Sequence, residues 1–220
     1  MFHKIDLNNY ERKEHYNIYM LNTPCTYSIT VNLNINNFKR TVKEKNIKFY
    51  ASVIYLISKS VNKYKEFKMS LNDNKELGYY DVVYPSYTIF HHDTKTFSCL
   101  YTEYNENFDL FYKNYISDIE KYANNKSFLA KPCSIKNIFN ISSIPLSSFT
   151  SFNLNLPNSF EYLAPIFTIG KYYTDDKNNI IMPLALQIHH SVCDGYHIGI
   201  FFENLQNELD EFNPLYKILP

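Results

Sequence analysis

Residues 179–199, NIIMPLALQIHHSVCDGYHIG, constrain the fold more than any other stretch of the chain. The apolar run 179–190 reads as a strand, joined through the polar turn DDKNN to a second strand-like run, APIFTIGKYYT, at 164–174. Residues 197–212, HIGIFFENLQNELDEF, follow as an amphipathic helix. A strand therefore runs into a helix through a turn carrying His189, His190, Asp194, Gly195 and His197. Such a turn is open to three readings: a metal site, a catalytic base with its support, or polar groups satisfied at a strand end.

The remaining pattern supplies the surroundings. Residues 25–35, CTYSITVNLNI, alternate as a half-buried strand does, and 36–46 read as a short helix. Residues 48–64 are largely apolar and predict a helix buried on most sides. Short strand-like runs fill 67–101: FKMSL, LGYYDVVY, SYTIFHH and TFSCLYT. Phe108, Phe111, Ile116, Ile119 and Tyr122 fall near helical spacing within 105–125, and 137–155 is strand-like with turn residues between. Strands and helices mix without regular βαβ alternation. The pattern predicts an α+β fold, a mixed or antiparallel β-sheet packed with helices, as one domain over 1–220.

Composition narrows the function classes. Lys plus Arg number 22 and Asp plus Glu 22, so no electrostatic footprint for nucleic acid or an anionic membrane is present. No apolar run approaches the ~20 residues of a spanning helix. The four cysteines form no CxxC pair and the N-terminal stretch has no apolar signal core, which points to a reduced, cytoplasmic chain with free thiols. With only four glycines there is no glycine-rich phosphate loop. The 21 Tyr and 17 Phe can line an apolar ligand pocket as readily as a core.

At the turn itself, adjacent strand residues point to opposite faces, so His189 and His190 do not easily share a metal, and no HExxH spacing occurs. Satisfied core histidines are the plain reading of His189 and His197. The order His-x-x-x-Asp-Gly instead supplies a base and, four residues on, a carboxylate. Gly195 is expected to allow a tight backbone turn there. Imidazole suits general-base work near neutral pH.

HHSVCDG resembles the HHxxxDG motif of coenzyme A-dependent acyltransferases, a group that includes dihydrolipoyl and carnitine acyltransferases and peptide-synthetase condensation domains. ERKEHYNIY, PCTYSIT, KFYASVIYLI, TKTFSCLY, NISSIP, SFNLNL and APIFTIGKY are similar, in the same order, to segments of chloramphenicol acetyltransferases. The likeness runs from about residue 6 to 210. The lipoyl domain and linker of the lipoyl enzymes have no counterpart.

That resemblance implies a CoA-dependent acyltransferase fold and acetylation of the primary hydroxyl of chloramphenicol by acetyl-CoA as co-substrate, with no permanently bound cofactor and no metal. It implies His190 as general base, Ser142 as the donor to the tetrahedral oxyanion, and Thr168 as holder of a transition-state water. Asp194 and Arg12 would pair as structural support. Tyr19, Cys25, Tyr27, Phe97, Phe152 and Leu154 match the acceptor pocket, with Tyr19 a hydroxyl contact, and Lys171 and Tyr172 match the coenzyme-contacting stretch. It also implies a homotrimer with active sites at subunit interfaces, where His190 would meet Tyr19 of a neighbour. Ile18, Thr23 and Leu146 depart from the family's usual pocket residues and are expected to reshape it. The alternative is the same fold acting on another alcohol or thiol.

Overall fold

A computed structural model describes residues 1–155 and 161–215. The expectation of one domain over 1–220 also takes in 156–160 and 216–220, which lie outside the described residues. The chain opens with β1 (Phe2–Lys4), α1 (Lys13–Asn17), a π-helical turn (Ile18–Asn22), β2 (Thr26–Asn34), α2 (Asn36–Glu44) and α3 (Phe49–Lys63). A 3-10 turn (Lys65–Lys68) leads to β3 (Met69–Leu71), β4 (Leu77–Tyr80), β5 (Tyr84–His91), β6 (Thr96–Tyr101) and α4 (Phe108–Tyr122). The last elements are β7 (Ile138–Ile144), β8 (Ile166–Gly170), β9 (Tyr173–Thr174), β10 (Ile180–His189) and α5 (Gly195–Asp210).

The large sheet runs β2-β10-β8-β7-β5-β6, with β9 paired to the start of β10. β5, β7 and β8 are parallel, and β2, β10 and β6 join them antiparallel, so the sheet is mixed as the pattern predicts. β10 sits between β2 and β8, which explains its near-continuous apolar sequence. Leu184, Leu186 and Ile188 of β10, Phe167 of β8, Ile141 of β7 and Tyr87 of β5 are buried together in one core. Phe201 of α5 stacks on Phe167 at 5.3 Å, and Tyr50 of α3 meets Tyr87 edge-on at 6.3 Å. Two helices therefore cover this face of the sheet. Truncating one such leucine to alanine costs about 2–5 kcal/mol.

Local chemistry sets the boundaries. α3 buries serines without cost to its ladder because Ser52 and Ser58 donate to the Lys48 and Ile54 carbonyls of their own helix, at 3.0 and 2.7 Å. α4 begins at Phe108, three residues later than the pattern predicts, because Asn107 Oδ1 accepts the Leu110 N–H at 3.1 Å and caps the helix. The β9–β10 turn closes on Asp175, whose carboxylate accepts the N–H groups of Lys177 and Asn179 at 2.9 and 2.7 Å. Asn178 takes the left-handed conformation at φ 62°, which asparagine tolerates.

Several expectations are corrected. LGYYDVVY is not one strand: it divides at Asp81, and β4 joins a separate antiparallel sheet, β1-β4-β3. Gly78 permits that crossing, since a Cβ there would lie 2.3 Å from the Phe2 ring. Within 137–155 β7 ends at Ile144 and a turn follows, in keeping with a strand-like stretch interrupted by turn residues, whereas 164–174 breaks after Gly170, where the Lys171 N–H leaves the ladder for the Ser147 carbonyl at 3.0 Å. α1 and the π-helical turn were not legible in the pattern. No helix among the described residues is long and apolar enough to cross a membrane.

Candidate active site

β10 ends at His189, and the next residue turns its ring out of the sheet. The His190 N–H donates to the Cys25 carbonyl at 2.8 Å, which ties the end of β10 to the segment entering β2. Cys25 N–H in turn donates to the Tyr19 carbonyl at 3.3 Å. These two bonds bring the π-helical turn beside the histidine. The Tyr19 ring stacks on His190 with centroids 3.9 Å apart and planes 17° from parallel, and Tyr27 meets it edge-on at 4.9 Å. His190 and Tyr19 therefore meet within one chain. This corrects the expectation that they meet across an interface, and the β2–β10 register that pairs His189 with Thr26 is the reason.

The hydrogen bonds assign the tautomer. His190 Nδ1 lies 3.0 Å from the Cys193 carbonyl, which can only accept, so Nδ1 carries the proton and Nε2 holds the free lone pair. A half-buried imidazole with a held Nδ1–H and a lone pair on Nε2 has the arrangement that general-base chemistry requires. Cys193 is no rival nucleophile: burial, with the Asp194 charge adding to it, pushes its thiol up to about 12.

The neighbouring groups bond to one another around the turn. His189 is fully buried, and its Nδ1 accepts from the Ser191 N–H at 3.2 Å and sits 2.7 Å from Ser191 Oγ. Burial, then the nearby His190, push it down to about 4, so it stays neutral. Arg12 Nη1 donates to Asp194 Oδ2. Burial pushes the Asp194 carboxyl up, but the Arg12 hydrogen bond and charge outweigh it and hold the group below its ordinary range. Asp194 Oδ1 also accepts the Tyr196 N–H at 3.1 Å, capping α5. His197 closes the cap by accepting the Asp194 N–H at Nδ1, 3.2 Å away. The special backbone expected of Gly195 is not needed: it is the first residue of α5, has no positive φ, and a Cβ there would meet nothing within 4 Å.

Ser142 and Thr168 form a second cluster. Their hydroxyls are 3.1 Å apart on adjacent strands β7 and β8. Thr168 pairs with Ala185 of β10, five residues before His190, which places the hydroxyls roughly 16 Å from the base along the strand. Lys171 and Tyr172 follow Thr168 on the side away from His190. One chain therefore holds the base and the hydroxyl pair in separate places.

Comparison with known proteins decides the family. The family model for chloramphenicol acetyltransferase matches residues 1–206. A chloramphenicol acetyltransferase of Clostridium perfringens is 50% identical over 206 residues, 94% of this chain and 97% of that protein. One from Clostridioides difficile is 48% identical over 94% of this chain and 95% of its own length. The chain belongs to the chloramphenicol acetyltransferase family. Its relatives there are acyltransferases, and a solved chloramphenicol acetyltransferase superposes with a TM-score of 0.85 at 22% identity, covering 95% of this chain and all of the other. A probable dihydrolipoamide acetyltransferase of Listeria monocytogenes shares the fold at a TM-score of 0.65 and 16% identity, over 92% of this chain and 93% of the other.

Against that family background the remaining expected residues scatter. Cys25 offers its carbonyl to His190, while its thiol lies 3.6 Å from the Thr26 carbonyl. Tyr27 donates its hydroxyl to the Cys193 carbonyl at 3.3 Å. Phe97 is half exposed on β6, four strands from β10, with its ring 5.9 Å from Phe128. Phe152 packs on Phe149, and the Leu154 N–H donates to Gln187 Oε1 at 2.7 Å. Tyr172 lies against Phe49 at 5.6 Å under the Lys39 ammonium, and Lys171 is exposed. Ile18 and Leu146 are exposed, at 47% and 89%, and Thr23 is exposed as well. Pattern reading missed the Cys193 carbonyl as partner of the base, because a backbone acceptor has no sequence signature.

Proposed function

We propose that this chain acetylates the primary hydroxyl of chloramphenicol with acetyl-CoA, in the cytoplasm, as a homotrimer. The observation that carries the chemistry is the His190 Nδ1–Cys193 carbonyl bond, which leaves Nε2 as the base. Nε2 takes the proton of the acceptor hydroxyl as that oxygen attacks the thioester carbonyl. The new C–O bond gives a tetrahedral oxyanion, to which the Ser142 hydroxyl donates while Thr168 holds a water. Collapse breaks the C–S bond and expels the CoA thiolate, which regains the proton from the His190 imidazolium. The base contributes roughly 10²–10⁴-fold and the oxyanion donor roughly 2.7–4 kcal/mol.

The separation of the two clusters supports sites formed between subunits, with His190 of one chain beside Ser142 and Thr168 of its neighbour. Tyr19 and Tyr27 then come with the base. Phe97, Phe152 and Leu154 line the acceptor side, and Lys171 and Tyr172 serve the coenzyme. Asp194 and Arg12 hold the base turn. The family membership supports chloramphenicol as acceptor. The deciding experiment measures free thiol from acetyl-CoA with and without chloramphenicol. Drug-dependent release, absent in His190→Ala, is the expected result; a folded protein that releases thiol only with another alcohol would reassign the acceptor.

A further inference from the structure

We propose that Tyr27 is a positioning residue for the base: its hydroxyl anchors the Cys193 carbonyl and so fixes the His190 tautomer. The carbonyl has two lone pairs and two donors. His190 Nδ1 lies 3.0 Å away and the Tyr27 oxygen 3.3 Å away. Burial, with Cys193 adding to it, raises the Tyr27 phenol well above its ordinary value, so it remains a donor across the working pH range. The same side chain meets the imidazole edge-on at 4.9 Å, opposing rotation of the ring. One residue thus touches both the base and the group that orients it.

The anchor matters because an unconstrained histidine side chain favours the opposite tautomer, with the proton on Nε2 and no lone pair left there to take a proton. The Cys193 carbonyl sits in the short loop between β10 and α5, and Val192 N–H to His189 O, at 3.3 Å, is a weak closure of that loop. Tyr27 reaches it from β2, a strand locked to β10 in continuous register from Thr26 to Asn34. The hydroxyl therefore transmits the rigidity of the sheet to the loop.

The test is Tyr27→Phe in the full chain with ¹⁵N-labelled histidine, the His190 ring signals being identified by their loss in His190→Gln. The phenylalanine keeps the ring edge and removes only the anchor. Losing one hydrogen bond of ordinary strength changes an equilibrium by about 2- to 12-fold. The folded variant should show that shift toward the Nε2–H signature, and kcat should fall in proportion to the Nδ1–H population that remains, with KM unchanged. Tyr27→Met, also lacking the hydroxyl, should behave alike and serves if the phenylalanine variant does not fold. Unchanged imidazole signals in a folded variant overturn the proposal. A raised KM with unchanged signals also overturns it, and makes Tyr27 a wall of the acceptor pocket. The kinetic arm rests on the function proposed above, but the nitrogen signals need no acceptor, so failure of one is distinguishable from failure of the other.

Discussion

Tyr19 lies flat against His190, ring centroids 3.9 Å apart, on a π-helical turn that the same chain folds back onto its own β10. The contact presents the electron-rich face of a phenol to the ring that the proposed proton transfer would make cationic. Stacking holds the imidazole plane, and the quadrupole favours its charged form.

Replacing Tyr19 by leucine removes both effects. Aromatic pairs of this kind contribute about 0.5–1.5 kcal/mol beyond area burial, so kcat/KM should fall about 2- to 12-fold. Tyr19→Phe keeps the stack and should stay near wild type unless the hydroxyl contacts the acceptor, in which case KM alone rises. Steady-state kinetics on the two variants separates the roles.

The Arg12–Asp194 pair ties the N-terminal segment to the turn that follows His190. Both side chains are mostly buried, at 16% and 30% exposure, so removing one partner strands a charge. Arg12→Ala should cost about 3 kcal/mol, the lower end of the range for breaking a buried pair. Asp194→Asn retains a capping oxygen for the Tyr196 N–H, so its loss reports the ion pair rather than the helix cap. Urea unfolding of both single variants and the double variant gives the coupling energy. Additive losses would mean that the pair does not act as a unit.

Stability should fall with mild acid through His189. Its folded value of about 4 lies below the ordinary 6.5, so the unfolded chain binds a proton that the native state excludes. The contribution is complete above pH 6.5, declines by up to about 1.4 kcal/mol per unit as pH drops, and is exhausted near pH 4. His189→Asn should flatten that limb of an unfolding-energy profile between pH 7.5 and 4.5. An unchanged slope would assign the loss to other groups.

How much of this was legible in the sequence follows from the range of the interactions. β10, α3 and α5 are written in unbroken apolar or amphipathic runs, because each is surrounded by core and must be apolar wherever it touches it. α1, the π-helical turn and β1 carry no such run: Tyr19 is placed by the Cys25 N–H, and Cys25 in turn by the His190 N–H, a backbone bond whose partners lie far apart in sequence. Resemblance in HHSVCDG and ERKEH pointed to His190 and to the Asp194–Arg12 pair, and the structure brings that pair together. It could not show that Thr168 pairs with Ala185, since strand register is a property of the assembled sheet. That register separates the hydroxyls from the base.

The same register makes the assembly testable by mixing two inactive chains. His190→Ala lacks the base but keeps Ser142; Ser142→Ala lacks the oxyanion donor but keeps His190. If each site joins the base of one subunit to the hydroxyls of the next, co-expression of the two variants should assemble trimers in which about a quarter of the sites are fully equipped, as random cyclic assembly requires. Activity should then rise far above that of either variant alone and approach a quarter of wild type. Purification through different tags on the two chains leaves only mixed trimers, each with one fully equipped site of three, and their activity should approach about a third of wild type. Sites built within one chain would give no such recovery, because every subunit would still lack one group. Separately purified variants, mixed without exchange of subunits, should stay inactive, which ties the recovery to the interface.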